Sequence, residues 1–153
     1  MSDVLMPRLN LPDYRDKIRV RNNEDRQEIF DPVRLIWVAL TPEEWVRQNM
    51  TLYISECLKI SFAQFAIEAQ ITFNGLKKRC DTIIYNKKAI PLIIAEYKQP
   101  SVAITQKVFD QIAVYNLKLN VPYLIVSNGY NHYMCQVDRE NRRYIFTDKL
   151  NYG

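Results

Sequence analysis

The chain has 153 residues, of which 48% are hydrophobic and 25% charged, and a formal net charge of +4. This length and balance predict a single globular domain overall, and the weak positive charge permits a polyanionic partner without requiring one. Because glycine is scarce and neither GxxxxGK[ST] nor GxGxxG occurs, we expect no ATP site and no dinucleotide site in this chain.

The first 30 residues are predicted to form an arm and a small hairpin, followed by the main domain over residues 31–153. Two prolines within residues 1–12 indicate an irregular arm. The polar run Arg21–Arg26 separates two short segments, residues 17–20 and 28–30, as in a hairpin. Residues 32–40 are apolar and fit either a strand or an extended loop.

A strong helix start follows at Thr41. Threonine is a good N-cap, Pro42 suits the first helical position, and Glu44 stands where it would complete a capping box. Apolar residues then recur in steps of three and four as far as Leu58, which predicts an amphipathic helix.

Three strands are predicted next, joined as an antiparallel meander. Residues 65–73 alternate apolar and polar side chains and end at Asn74-Gly75, a strong hairpin signal. The strand Lys77–Tyr85 follows, and the chain returns through the strand Ile90–Lys98.

A second helix is predicted over Ala103–Leu119, followed by the compact apolar strand Tyr123–Ser127. A strand, a long helix and a strand in succession form a crossover, which makes the two strands parallel. Two further strands, Tyr133–Val137 and Arg143–Thr147, complete the sheet. The sequence therefore predicts an α/β (α+β) fold with a mixed central sheet and flanking helices.

Charged residues stand where the apolar strand ends. Glu96 and Lys98 are two residues apart and project from one face, and Asp81 lies on the neighbouring antiparallel strand. Two buried charges are costly unless they are paired or bound to something. Two neighbouring carboxylates form a hard-oxygen site for Mg²⁺. A structural salt bridge from Lys98 to Glu96 or Asp81 is the alternative.

These residues resemble the D…(D/E)xK core of PD-(D/E)xK nucleases, and the Q-x-x-x-Y pattern at Gln111 and Tyr115 strengthens the resemblance. More narrowly, the chain resembles the N-terminal nuclease domain of type I restriction enzyme R subunits over residues 30–150. The segments that carry this narrower resemblance are TPEEWVRQ, KKRCDTIIY, AEYKQPS, VFDQIAVYN and PYLIVSNG.

The resemblance implies a restriction-endonuclease-like core and a role for each motif residue. Asp81 and Glu96 would be the ligands of Mg²⁺, for which Mn²⁺ can substitute, and Lys98 would be the catalytic lysine. Gln111 and Tyr115 share one helix face at i and i+4 and would be turned toward the site.

An acidic residue of the first helix often completes the site in this family. We assign that role to Glu44, although completing the helix cap is an equally simple role for its carboxylate. Glu68 on the first meander strand is the competing acid, and pairing with Lys77 or Arg79 is its alternative.

The function that follows is a Mg²⁺-dependent DNA endonuclease acting in restriction or defence against foreign DNA. The alternative is a non-catalytic nucleic-acid-binding or assembly module that keeps the fold. Translocase, methyltransferase or specificity subunits are the expected partners. Unpaired cysteines, no signal peptide and no long apolar run predict a cytoplasmic protein without a membrane span. Candidate DNA contacts are Lys77, Lys78, Arg79 and Lys107, with Arg47, Lys87 and Lys88 as further cations near the site.

Overall fold

The computed structural model describes residues 6–147, apart from the side chain of Tyr115. Two α-helices, one short 3-10 helix (Phe62–Gln64) and two sheets make up this part of the chain, so the mixed α/β prediction is confirmed. No helix within this range is long and apolar enough to cross a membrane. The elements in chain order are β1 (Val20–Asn23), β2 (Arg26–Asp31), β3 (Ile36–Ala39), α1 (Pro42–Leu58), β4 (Phe65–Phe73), β5 (Leu76–Tyr85), β6 (Pro91–Tyr97), α2 (Gln106–Leu117), β7 (Tyr123–Ser127), β8 (His132–Asp138) and β9 (Arg143–Phe146).

The small sheet has the antiparallel order β1-β2-β3. The predicted hairpin is present, but its turn is tighter than the polar run indicated, because residues 20–23 already pair with residues 26–29. Residues 36–39 form a strand beside β2, which resolves the open alternative for that segment. The boundary predicted between residues 30 and 31 falls inside β2, and Ile29 is buried in the same core as Trp45.

The large sheet has the order β4-β5-β6-β7-β8-β9. Asn74 and Gly75 both have positive φ, 51° and 79°, as the tight hairpin turn between β4 and β5 requires. β4, β5 and β6 form the predicted antiparallel meander, and β6 pairs with β7 in parallel. The crossover through α2 is therefore confirmed.

The second helix is shorter than its apolar pattern predicted. It begins at Gln106 rather than Ala103, because the Thr105 hydroxyl accepts a hydrogen bond from the Val108 backbone N–H at 3.2 Å and so caps the first turn. It ends at Leu117, two residues before the predicted end.

Two apolar layers cover the faces of the large sheet and fix the direction of the side chains on β6. Ile93, Ala95 and Tyr97 are buried in the layer that contains the α1 residues Val46 and Met50. Ile94 is buried in the other layer, which contains residues of α2. Since strand side chains alternate, Glu96 continues the face that is turned toward α2.

The N-terminal arm is fastened to α1 and to the loop between β7 and β8. The Trp45 indole N–H donates to the Pro7 carbonyl at 2.9 Å, and the Asn10 backbone N–H donates to the Gly129 carbonyl at 2.9 Å. Gly129 has φ +90°, and a Cβ there would stand 2.6 Å from Leu9 Cδ2. The arm therefore packs closely against a residue whose left-handed backbone favours glycine.

Candidate active site

An open cleft of about 500 Å³ lies where β5, β6, α2 and the first turn of α1 meet. It brings together four of the predicted site residues, Asp81, Glu96, Lys98 and Gln111. The other residues that line it are Glu43, Lys77, Lys78, Arg79, Tyr97, Val108 and Ile112.

Strand register brings the two central carboxylates together. The pairing of β5 with β6 ends at Thr82 and Ala95, and Asp81 and Glu96 are the next residue on each strand. The Asp81 carboxylate also accepts a hydrogen bond from the Tyr97 backbone N–H at 2.8 Å. This bond fixes Asp81 against the end of β6.

Glu96 is the most strongly perturbed carboxyl group of the cleft. Burial and the neighbouring Asp81 charge raise its pKa to about 7, although its hydrogen bond with Lys78 opposes the rise. Lys78 Nζ lies 2.7 Å from Glu96 Oε1, with 16% of the lysine side chain and 13% of the glutamate side chain exposed. The ion pair at Glu96 is therefore made by Lys78.

Lys98 lies one residue beyond the end of β6. Its backbone N–H donates to the Ser127 carbonyl at 2.9 Å, which extends the parallel pairing by one residue and holds the lysine in the cleft. Its half-buried side chain lines the cleft, and its charge lowers the pKa of Glu43, a carboxyl group whose pKa is raised overall by desolvation and by Asp81.

The two adjacent glutamates at the start of α1 have different surroundings. Glu43 lines the cleft, whereas Glu44 is 7% exposed and lies outside the cleft lining. Thr41 caps the helix as predicted, because its hydroxyl accepts from the Glu44 backbone N–H at 3.1 Å. The Glu44 carboxylate accepts hydrogen bonds from the side chains of Arg47 and Gln48 rather than completing the capping box.

Arg47 links this buried glutamate to the cleft. Its side chain is 5% exposed, so it does not present the surface cation that was considered as a DNA contact. Its guanidinium binds Glu44 and lies 3.6 Å from Asp81 Oδ1 and 3.9 Å from Glu68 Oε1. The guanidinium of Arg47 therefore lies close to the carboxylates of Glu44, Glu68 and Asp81 and provides positive charge to all three.

Glu68 faces Asp81 across β4 and β5 in an unusual conformation. Its φ is +50°, and it stands between the paired residues Ile67 and Ala69. Its carboxylate lies 3.3 Å from Arg79 Nη2, which confirms the predicted pairing with that arginine. Glu68 thus lies among Arg34, Arg47 and Arg79 beside the cleft and is absent from the cleft lining.

The other predicted residues are divided between the cleft and its surroundings. Gln111 lines the cleft from α2, and the side chain of Tyr115 lies outside the described residues. Lys77, Lys78 and Arg79 line the cleft, whereas Lys107 is exposed on α2 and is absent from the lining. Within residues 6–147, no group of three or more His, Cys, Asp and Glu side chains is arranged to hold a metal ion.

The cleft is thus an acidic centre edged by cations, on a mixed sheet between two helices. The sequence model of one protein family, the type I restriction enzyme R protein N terminus (HSDR_N), matches residues 42–150. The match covers more than half of the chain, and the protein therefore belongs to this family. No curated protein matches the chain.

Proposed function

We propose that the protein is a divalent-metal-dependent DNA endonuclease domain that hydrolyses phosphodiester bonds in a type I restriction system. The observation that supports this function best is the meeting of Asp81, Glu96, Lys98 and Gln111 in one open cleft. They come from two strands and one helix, and binding alone does not need two carboxylates and a lysine at one point.

The donor set fits a hard divalent cation such as Mg²⁺ or Mn²⁺. Mg²⁺ in proteins is held by one or two carboxylates, with waters and substrate oxygens completing its coordination. Asp81 and Glu96 are two such carboxylates, and burial together with the neighbouring Asp81 charge raises the pKa of Glu96. The proposed site accordingly needs no third protein carboxylate, although Glu43 lines the same cleft.

When bound, the metal would supply Lewis-acid activation of water and of the scissile phosphate. Asp81 and Glu96 would hold it, and the Tyr97 backbone N–H fixes one Asp81 oxygen while Arg47 stands behind the other. Lys98 would donate to the attacking water or to a phosphate oxygen, stabilising the charge that develops there. Gln111 would orient water or phosphate from the opposite wall.

The same cleft presents cations to the DNA backbone. Lys77 and Arg79 are exposed residues of β5 that line it, and they would bind phosphates without reading sequence. Translocase, methyltransferase or specificity subunits would be the other partners of such a domain. These partners would deliver and select the DNA, and the chain described here would cut it.

The test is nicking of supercoiled plasmid DNA in Mg²⁺. Asp81→Asn and Lys98→Met should each lower the rate by about 100-fold or more, the usual effect of removing a charge-stabilising group. Lys107→Met is the matched control, because this exposed lysine is absent from the cleft lining. Equal nicking by the wild type, Asp81→Asn and Lys98→Met would refute the proposal.

A non-catalytic DNA-binding or assembly module is the second candidate. It is favoured by one observation, namely that both carboxylates already face cations of the protein, Glu96 facing Lys78 and Asp81 facing Arg47. Calorimetric titration with Mn²⁺ separates the two functions. Binding that disappears in Asp81→Asn supports the nuclease, and no binding by the wild type supports the module.

A further inference from the structure

The ammonium group of Lys78 is placed against the carboxylate that the proposed function assigns to the metal. Lys78 Nζ lies 2.7 Å from Glu96 Oε1, and both side chains are largely buried. Lys78 reaches this position from β5, the strand that also carries Asp81. A cation of the protein thus occupies the position where an external cation would bind.

We propose that Lys78 is a tethered counter-ion, which holds Glu96 until a divalent metal displaces it and then faces the substrate in the cleft. This inference rests on the proposed function. It gives Lys78 a positioning role at the metal site in addition to the phosphate contact expected from its charge.

The exchange follows from the charges in the cleft. Lys78 contacts Glu96, and Arg47 lies 3.6 Å from Asp81, so each carboxylate faces a separate single positive charge. A divalent ion between Asp81 and Glu96 would interact with both carboxylates and would compete with the ammonium for Glu96 Oε1. Because the ion and the ammonium repel each other, Lys78 cannot keep its contact with Glu96 once that oxygen is coordinated.

The displaced side chain would remain in the cleft. Lys78 lines it together with Lys77, Arg79 and Lys98, and its flexible stem lets the ammonium turn toward bound DNA. Loading the metal would then expose a further positive charge on the surface that receives the phosphates. By linkage, bound DNA and bound metal would each tighten the binding of the other.

The experiment measures acetylation of individual lysines in the wild-type protein by mass spectrometry, with and without saturating Mn²⁺. Release from Glu96 would move the Lys78 ammonium from a largely buried position to one that the reagent reaches, so Lys78 acetylation should become about fivefold faster or more. Lys107, which is exposed on α2 and absent from the cleft lining, is the internal control and should change less than twofold.

Calorimetric titration of the same sample separates the two possible failures. Binding heat together with unchanged or slower acetylation of Lys78 overturns the counter-ion role and leaves the metal site standing. Absence of binding heat overturns the proposed function, and the counter-ion role with it. Both the metal site and the counter-ion role are supported if binding heat is seen in the wild type and lost in Asp81→Asn, and if Mn²⁺ makes the acetylation of Lys78 alone faster.

Discussion

The effect of Glu96→Gln on the free energy of unfolding should depend on pH. The substitution should favour the folded protein more at pH 8 than at pH 4.5. Burial and Asp81 raise the pKa of Glu96 from 4.5 to about 7. In this interval the folded state therefore binds a proton that the unfolded chain has released. By linkage, the wild type loses free energy of unfolding as the pH rises from about 4.5 to 7. Glutamine does not titrate, so the variant escapes this loss.

The pKa shift sets the size of the effect. At about 1.4 kcal/mol per pH unit, a rise from 4.5 to about 7 corresponds to about 3 kcal/mol. The Glu96 side chain is 13% exposed, so solvent screening reduces this figure little. The Lys78 contact is already reflected in the pKa. Groups that titrate alike in both proteins contribute equally to the pH dependence of the two free energies of unfolding, so their contributions cancel in the difference.

Urea unfolding followed by tryptophan fluorescence, with EDTA present, measures the effect at the two pH values. The stability difference between Glu96→Gln and the wild type should move by about 3 kcal/mol in favour of the variant between pH 4.5 and 8. Glu140→Gln, in the exposed turn before β9, should show no such movement. A difference that stays constant within about 0.5 kcal/mol would refute the electrostatic origin given to the pKa shift.

Two further predictions concern buried groups. Arg47→Met should lower the free energy of unfolding by about 3–5 kcal/mol, because the buried Glu44 charge would keep only the more distant Arg34 guanidinium, 3.8 Å away, as a cationic partner. Adding Glu44→Gln should recover part of the loss in urea unfolding, and a purely additive double variant would contradict the pairing. In the folded protein, iodoacetamide at pH 8 should alkylate the exposed Cys57 alone, because burial raises the pKa of Cys80 and Cys135 to about 12. Mass spectrometry counts the adducts, and three adducts without denaturant would show that Cys80 and Cys135 are not buried.

Local signals were sufficient to predict the sheet that carries the site. The Asn74-Gly75 turn fixed the register of the first hairpin, and the apolar run that ends at Glu96 marked a buried strand. The crossover rule then made β7 parallel to β6. These signals lie within a few residues of the structure they determine, so a single sequence reveals them.

The sequence analysis singled out Glu44 and did not consider Glu43, the neighbouring glutamate that lines the cleft. Adjacent helical residues point about 100° apart, and which of them faces the cleft depends on how α1 is rotated against the sheet. That rotation brings Arg47 to Asp81 and buries Glu44 beside it. A basic residue three positions after Glu44 was the signal that could have indicated this pairing.

The sequence analysis also missed the ion pair between Lys78 and Glu96, because the face of the sheet on which Lys78 lies depends on the folded geometry of β5. Lys78 lies three residues before Asp81 on the same strand, and simple alternation would not group it with Glu96. Opposite Glu68, whose φ is positive, the side chains of β5 interrupt their regular alternation between the two faces of the sheet. Cys80 and Ile83 consequently belong to the same apolar layer, although they are three residues apart.

The fastening of the arm has a consequence for the limits of the folding unit. The family match begins at residue 42, yet Leu9 closes over Gly129 and Ile29 fills the core against α1. A chain shortened to the matched range would expose these apolar surfaces to water, and we expect it to be insoluble or only partly folded. The family match and the folding unit therefore have different limits on this chain, because the arm and the small sheet cover apolar surfaces of the matched part.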